Sequence, residues 1–350
     1  MPIRVLIVDD SVFMRSMLKS ALSSTEGIEV LATAQNAAEG LKKIKNLKPD
    51  VVTLYVEMPG MTGLEVLEKV MKDHPIPVVM VSTKTQKGAQ TTLKALEMGA
   101  VDFVAKPIGE KSASLQSFRQ KVVRTIETAF QSNRKYLTSR SKVAVASPEP
   151  VRAHSDVVIA IGISAGGSAT LHKMVPAIPV EFPPILITQH MPADFTEAFS
   201  ARLNEIAKGS VRQANQNESL RPGTILIAPG NRHLRVVRRG SKLVAALDDG
   251  PKVSGFRPSV DVLFESVASA VGRNAVGVVM TGMGCDGSAG VRLLKQKEAV
   301  TIAQDKATSI VYGMPKTAAE TGCIDRIAAL HDMPNAIADA LRSREPTSVG

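Results

Sequence analysis

The chain has 350 residues, room for two domains of ordinary size that each bury a core. Hydrophobic residues make up 44% of it, yet no apolar run approaches bilayer-spanning length, and its two cysteines, Cys285 and Cys323, exclude a disulfide framework or a cysteine metal site. A formal net charge of +10 raises nucleic acid as a partner; aromatics at 3%, no Trp and no zinc-finger or basic-region spacing argue against it, and attraction to an acidic protein explains the charge equally well.

The start, Met1-Pro2-Ile3-Arg4, enters a strand without the features of a secretion signal, so a soluble cytoplasmic protein without membrane insertion is expected. Over residues 1–130, short apolar runs (Val5 to Val8, Ile28 to Ala32, Val51 to Leu54, Pro77 to Val81 and Asp102 to Val104) alternate with amphipathic segments. One such segment is residues 63–72, with Leu64, Val66, Leu67 and Val70 on one stripe. The pattern predicts a flavodoxin-like (βα)5 domain with a doubly wound parallel sheet, whose ligands gather at the carboxyl ends of the strands. At those ends fall Asp9, Asp10, Tyr55, Ser82 and Lys106. An acidic pair, a hydroxyl and a lysine are the parts that hold Mg²⁺ and receive a phosphoryl group. Where an acceptor carboxylate is expected stands Tyr55, a phenol with an ordinary pKa near ~10 and a poor nucleophile and metal ligand at neutral pH. Glu57, two residues on, is expected to point elsewhere.

Residues 131–155 lose apolar periodicity and are rich in Ser, Pro and basic residues, which predicts an extended linker. A second α/β domain, doubly wound, is expected over 156–346, with strands at Val157 to Ile161, Ile185 to Thr188, Thr224 to Ala228, Leu234 to Val237, Leu243 to Ala246, Ala275 to Met280 and Val300 to Ala303. An antiparallel portion is expected around 224–247. Its first strand runs into Gly162-Ile163-Ser164-Ala165-Gly166-Gly167, a G-x-S-x-G turn in the strand-to-helix setting that exposes a serine nucleophile. The same turn also serves merely to bind phosphate or to pack a helix on a sheet, and both readings stand at this point.

A serine near neutral pH needs a base. Among the six histidines, His190 ends the strand that begins at Ile185, at the same sheet edge as Ser164; His233 is a weaker rival in a loop, and His74, His154 and His172 read as surface. Asp286, in Thr281-Gly282-Met283-Gly284-Cys285-Asp286-Gly287 after a third strand, can orient the imidazole, although a lone Asp in such a turn is also a common local cap. Its neighbour Cys285 reads as a buried, inert thiol. The order Ser, His, Asp differs from that of ordinary α/β-hydrolases.

With Gly162 to Gly167, Gln189-His190-Met191, Ile227-Ala228-Pro229-Gly230, Arg257-Pro258-Ser259-Val260-Asp261 and Thr281 to Gly287 in this order, nearly the whole chain resembles the chemotaxis response-regulator methylesterases. These are protein-glutamate methylesterases and protein-glutamine glutaminases. The resemblance implies a receiver domain, a linker and a catalytic domain. It implies Ser164 as nucleophile, His190 as base, Asp286 as its orienting acid and the Met283 N–H in the oxyanion hole, with no cofactor for catalysis. The substrate it implies is the cytoplasmic domain of a chemoreceptor. A chemotaxis histidine kinase would phosphorylate the receiver, which covers the active-site face until then. In that pattern Asp9 and Asp10 hold Mg²⁺, weakened here at Asp10 by Tyr55; Ser82 contacts a phosphate oxygen, Lys106 balances charge and Phe103 is the aromatic switch. Ala165 stands where relatives often carry a hydroxyl. No motif argues for more than a monomer. Two rival classes, a receiver-linked DNA-binding regulator and a non-enzymatic chemotaxis scaffold, remain to be separated by assay.

Overall fold

The computed structural model describes residues 1–83, 85–107, 112–133, 144–151 and 156–343. The chain divides into two compact units, Met1–Ser141 and Lys142–Gly350.

The first unit alternates β1 (Ile3–Val8), α1 (Val12–Ser23), β2 (Ile28–Ala34), α2 (Ala37–Leu47), β3 (Val51–Tyr55), α3 (Gly63–Asp73), β4 (Val78–Ser82), α4 (Gln86–Met98), β5 (Asp102–Ala105) and α5 (Ser112–Phe130). The sheet is parallel throughout, in the order β2-β1-β3-β4-β5. Its central strands are continuous apolar runs because helices cover both faces, and Val5 to Val8 are at most 1% exposed. Side-chain caps start the helices: Ser11 accepts from Met14 N, Asn36 from Glu39 N, and Thr62 forms a capping box with Glu65. The expected stripe on α3 is buried at Val66, Leu67 and Val70.

The second unit contains β6 (Val158–Ile163), α6 (Gly167–Met174), β7 (Ile185–Gln189), α7 (Ala193–Asn204), β8 (Ser210–Gln213), β9 (Glu218–Ser219), β10 (Thr224–Ile227), β11 (His233–Arg239), β12 (Lys242–Asp248), α8 (Val260–Ala270), β13 (Ala275–Val279), α9 (Ser288–Gln296), β14 (Val300–Gln304), α10 (Met314–Glu320), β15 (Arg326–Ala328) and α11 (Met333–Arg342). Seven parallel strands run in the order β15-β14-β13-β6-β7-β10-β8. The order reverses direction at β6, which places a crevice at the carboxyl ends of β6, β7 and β13.

Two expectations need correction. The antiparallel portion excludes residues 224–227, which form β10 in the parallel sheet; it is a separate sheet of β11, β12 and β9. His233 opens β11 and is 1% exposed, so it does not sit in a loop. Strands β8 and β15 escape sequence reading because each lies at an edge of the sheet and carries few apolar residues. Of the expected linker, residues 134–143 and 152–155 lie outside the described residues. The stretch 144–151 has no regular structure and belongs to the second unit: Ala146 N donates to His331 O, and Ser147 Oγ donates to Ala177 O at 2.9 Å.

Candidate active site

Buried strand β6 ends at Ile163, and Gly166, at φ +76°, turns the chain sharply into α6. Ser164 sits on that turn. Its N–H donates to Thr281 O at 2.9 Å, and Thr281 Oγ1 donates to Ala165 O at 2.9 Å, so the elbow is stapled to the end of β13. A Cβ at Gly282 would stand 2.7 Å from Ser164 Cβ, so this crossing requires glycine. On the other side β7 delivers His190, whose N–H donates to Ile163 O at 3.1 Å. The His190 ring then bridges two partners: Nδ1 is 3.1 Å from Ser164 Oγ and Nε2 is 2.7 Å from Asp286 Oδ2. Phe256 stacks on the ring, with centroids 3.7 Å apart and planes 6° from parallel.

Asp286 is 1% exposed, and both of its oxygens are fully engaged. Oδ1 accepts from Ser259 Oγ at 2.7 Å and Asp261 N at 3.0 Å; Oδ2 accepts from Val260 N at 2.8 Å and from His190. The N–H donors belong to the first turn of α8, where unpaired amides favour an anion. Burial raises the carboxyl pKa, but the His190 hydrogen bond and charge and the Asp261 and Val260 N–H groups outweigh it and hold the group below its ordinary value. Asp286 therefore only accepts, Nε2 carries the imidazole proton, and Nδ1 is left to accept a hydrogen bond from the serine hydroxyl. The ring nitrogens are exchanged relative to the chymotrypsin-like arrangement, in which Nε2 faces the serine.

Asp261 answers from α8. Its Oδ1 accepts from Gly287 N at 2.9 Å and Gly290 N at 2.8 Å at the start of α9, fixing the turn that carries Asp286. Burial, followed by the neighbouring charge of Asp286, pushes the Asp261 pKa up, against the pull of those amides. Sequence reading names Ser259 and Asp261 only as part of a motif, and misses Phe256 and the supporting role of His233, whose Nδ1 accepts from Ser259 N at 3.2 Å. The signal lay in the Ser259-Val260-Asp261 helix start, but nothing in the sequence says which anion that start receives. Cys285 is corrected: its thiol is exposed, because turning Asp286 inward turns its neighbour out.

In the first unit Asp9 is fully buried; its Oδ1 accepts from Ser11 N at 2.9 Å, and Oδ2 makes a 3.1 Å ion pair with Lys106 Nζ that lacks hydrogen-bond alignment. The same ammonium stands 3.2 Å from the centroid of the Tyr55 ring, a cation–π contact. Burial, then Glu57, Asp10 and Asp9, raises the phenol pKa, so Tyr55 is neutral at pH 7. Burial likewise raises the Asp9 pKa, with Lys106 opposing. Ser82 is expected at the phosphate, but its Oγ lies 2.6 Å from Thr92 Oγ1 and 3.2 Å from Gly88 O, engaged with α4. The donors do not fit Mg²⁺: of two carboxylates the buried one is paired with Lys106, the next oxygen is a neutral phenol, and among the described residues no three His, Cys, Asp or Glu side chains are placed to hold a metal.

Residues 159–337 match the family model for CheB methylesterase, and residues 5–116 match that for the response regulator receiver domain. The protein-glutamate methylesterase/protein-glutamine glutaminase 1 of Geobacter metallireducens is 44% identical over 352 aligned residues, covering 98% of this chain and 97% of its own. The protein-glutamate methylesterase/protein-glutamine glutaminase of Sulfurimonas denitrificans is 43% identical, covering 99% and 100%. The crystal structure of the Thermotoga maritima CheB methylesterase catalytic domain superposes with a TM-score of 0.51 at 34% identity, covering 52% of this chain and 97% of that one.

The engagement of Asp286 predicts a pH-dependent stability. A carboxyl whose folded pKa lies below its unfolded value stabilises the fold above the unfolded value, near ~3.9, and loses that contribution as pH falls through the folded value. Asp286→Ala strands the Ser259 hydroxyl and two α8 amides and is expected to cost on the order of 3 kcal/mol at pH 7. Urea titrations of both proteins at pH 7 and at pH 3 check this, with the gap narrowing at the lower pH.

Proposed function

We propose, for a chain that belongs to the CheB methylesterase family, that Ser164, His190 and Asp286 hydrolyse glutamate γ-methyl esters and deamidate glutamines on the cytoplasmic domain of a chemoreceptor. The observation that supports this most is the continuous line from Ser164 Oγ through His190 (3.1 Å) to Asp286 (2.7 Å) on one sheet edge. Ser164 Oγ attacks the γ-carbonyl carbon while its proton passes to His190 Nδ1. The oxyanion accepts the Met283 N–H, in the backbone that follows Gly282 past Ser164. The bond from the γ-carbon to the methoxy oxygen breaks, and the Nδ1 proton leaves on methanol. Water then adds to the acyl carbon, giving a proton to Nδ1. The bond to Oγ breaks, Oγ regains that proton, and glutamate is released. With glutamine the leaving group is ammonia. Asp286 stays ionised and holds the imidazolium without taking its proton.

Each of these steps uses groups of the chain itself and water, and needs no cofactor. Among the described residues no helix is long and apolar enough to cross a membrane, and the reading places the protein in the cytoplasm, acting as a monomer. The receiver unit is read as regulatory, with a chemotaxis histidine kinase as its partner, and as unable to form an acyl phosphate because Tyr55 is neutral and its ring packs on Lys106.

Ser164→Ala is expected to lower methanol release from methylated receptor by at least ~10³-fold without unfolding the protein; undiminished release would take Ser164 out of the reaction, and no release from the wild-type chain would leave the scaffold or DNA-binding reading in its place. Acetyl phosphate with Mg²⁺ is expected to leave wild-type turnover unchanged and to raise that of Tyr55→Asp. Removing residues 1–141 is expected to raise turnover without any phosphodonor. Stimulation of the wild-type chain by acetyl phosphate would overturn the reading of Tyr55.

A further inference from the structure

Strand β7 is apolar except near its carboxyl end, and Gln189 there is 3% exposed, where an isoleucine or leucine would bury at no polar cost. Its carboxamide is not paired as a buried amide usually is. Nε2 reaches two backbone carbonyls, Ser164 O at 3.0 Å and His190 O at 3.2 Å, while Oε1 is buried without a hydrogen-bond partner. One planar group thus joins the carbonyl of the nucleophile's residue to that of the base's residue, across 26 positions of sequence. The free oxygen lies against Gly167: a Cβ there would come within 2.1 Å of Oε1. A serine elbow alone does not require the second glycine of Gly166-Gly167; a carboxamide braced behind it does.

We propose that Gln189 is a positioning residue for the reaction. Its two N–H groups fix Ser164 and His190 relative to each other and so hold the 3.1 Å separation of Oγ and Nδ1 through both attack and deacylation. Beyond the side-chain pair itself, the His190 N–H to Ile163 O bond ties the two strand ends, and it constrains the backbone one residue short of the serine. The brace completes the constraint at the residue that reacts. A separation loosened by a fraction of an ångström costs rate rather than affinity, because it acts only on proton transfer and attack. The inference rests on the Ser164, His190 and Asp286 reading above.

Gln189→Met keeps the length and removes both donors; Gln189→Glu keeps the shape and, when ionised, sets a carboxylate against two carbonyls. For Gln189→Met the expected result on methylated receptor is a kcat about 10- to 100-fold lower with KM within twofold. Its thermal midpoint is expected to be no lower than wild type, and phosphonylation of Ser164 by a fluorophosphonate is expected to slow in step with kcat. Gln189→Glu is expected to lose as much at pH 8 and to regain part of it, relative to wild type at the same pH, at pH 5.5, where a protonated carboxyl again donates one hydrogen bond. A kcat within twofold of wild type in either variant at pH 8 overturns the proposal, as does slowed turnover with undiminished phosphonylation. If Gln189→Met does not fold, the pH response of Gln189→Glu decides alone. Ser164→Ala run alongside separates the two readings: retained hydrolysis in that variant defeats the triad, whereas its loss beside wild-type kcat in Gln189→Met defeats only the brace.

Discussion

A carboxylate buried at the start of a helix organises the second unit. Asp286 is 1% exposed, and an isolated charge at that depth is costly unless every lone pair is engaged. The chain meets the requirement with the first-turn amides of α8, the Ser259 hydroxyl and the His190 ring. Asp261, in that same first turn, reciprocates by holding the amides of Gly287 and Gly290. Each helix start thus receives an acid from the other's element, and α8 and α9 cannot move independently of the imidazole.

That clasp explains why the site sits at the reversal of strand order. The ends of β6, β7 and β13 must meet there, and each contributes one side chain of the Ser164–His190–Asp286 line together with one hydrogen bond to a neighbouring backbone carbonyl: Ser164 N to Thr281 O, His190 N to Ile163 O, and Thr281 Oγ1 to Ala165 O. Phe256 presses on the ring from a loop before α8, limiting its rotation while leaving both nitrogens in line. Geometry of this kind is held by packing and hydrogen bonds that are complete before substrate arrives, which is the condition for electrostatic stabilisation at low reorganisation cost.

The first unit makes the opposite use of a similar sheet edge. Here the anion, Asp9, is matched by one ammonium, and that ammonium also faces the ring of Tyr55. The neutral arene adds no charge to the pocket, so Lys106 is shared between one acid and a quadrupole. The hydroxyl of Ser82 turns to α4, bonding with Thr92 and Gly88. The pocket thus holds one buried carboxylate, one ammonium and one neutral ring on a receiver scaffold.

What the sequence determined by itself follows from local and periodic signals. Continuous apolar runs between amphipathic segments specify two parallel α/β sheets; the glycine turn after β6 makes Ser164 a candidate, and places at strand ends make His190 and Asp286 candidates beside it, which the resemblance to the methylesterases selects; and Tyr55 is conspicuous because it interrupts a set of polar strand ends. What only the tertiary structure decided are the pairings between residues far apart in sequence and the edges where patterning is weak. It set which nitrogen of His190 faces the serine, that Ser259 and the α8 amides receive Asp286, that Phe256 covers the ring, and that Gln189 turns its donors toward two carbonyls. It also placed residues 224–227 in the parallel sheet and turned Cys285 outward. Periodicity reports which face of an element is buried, whereas a hydrogen bond across 25 or more positions depends on how whole strands are ordered in the sheet, and no local signal encodes that order.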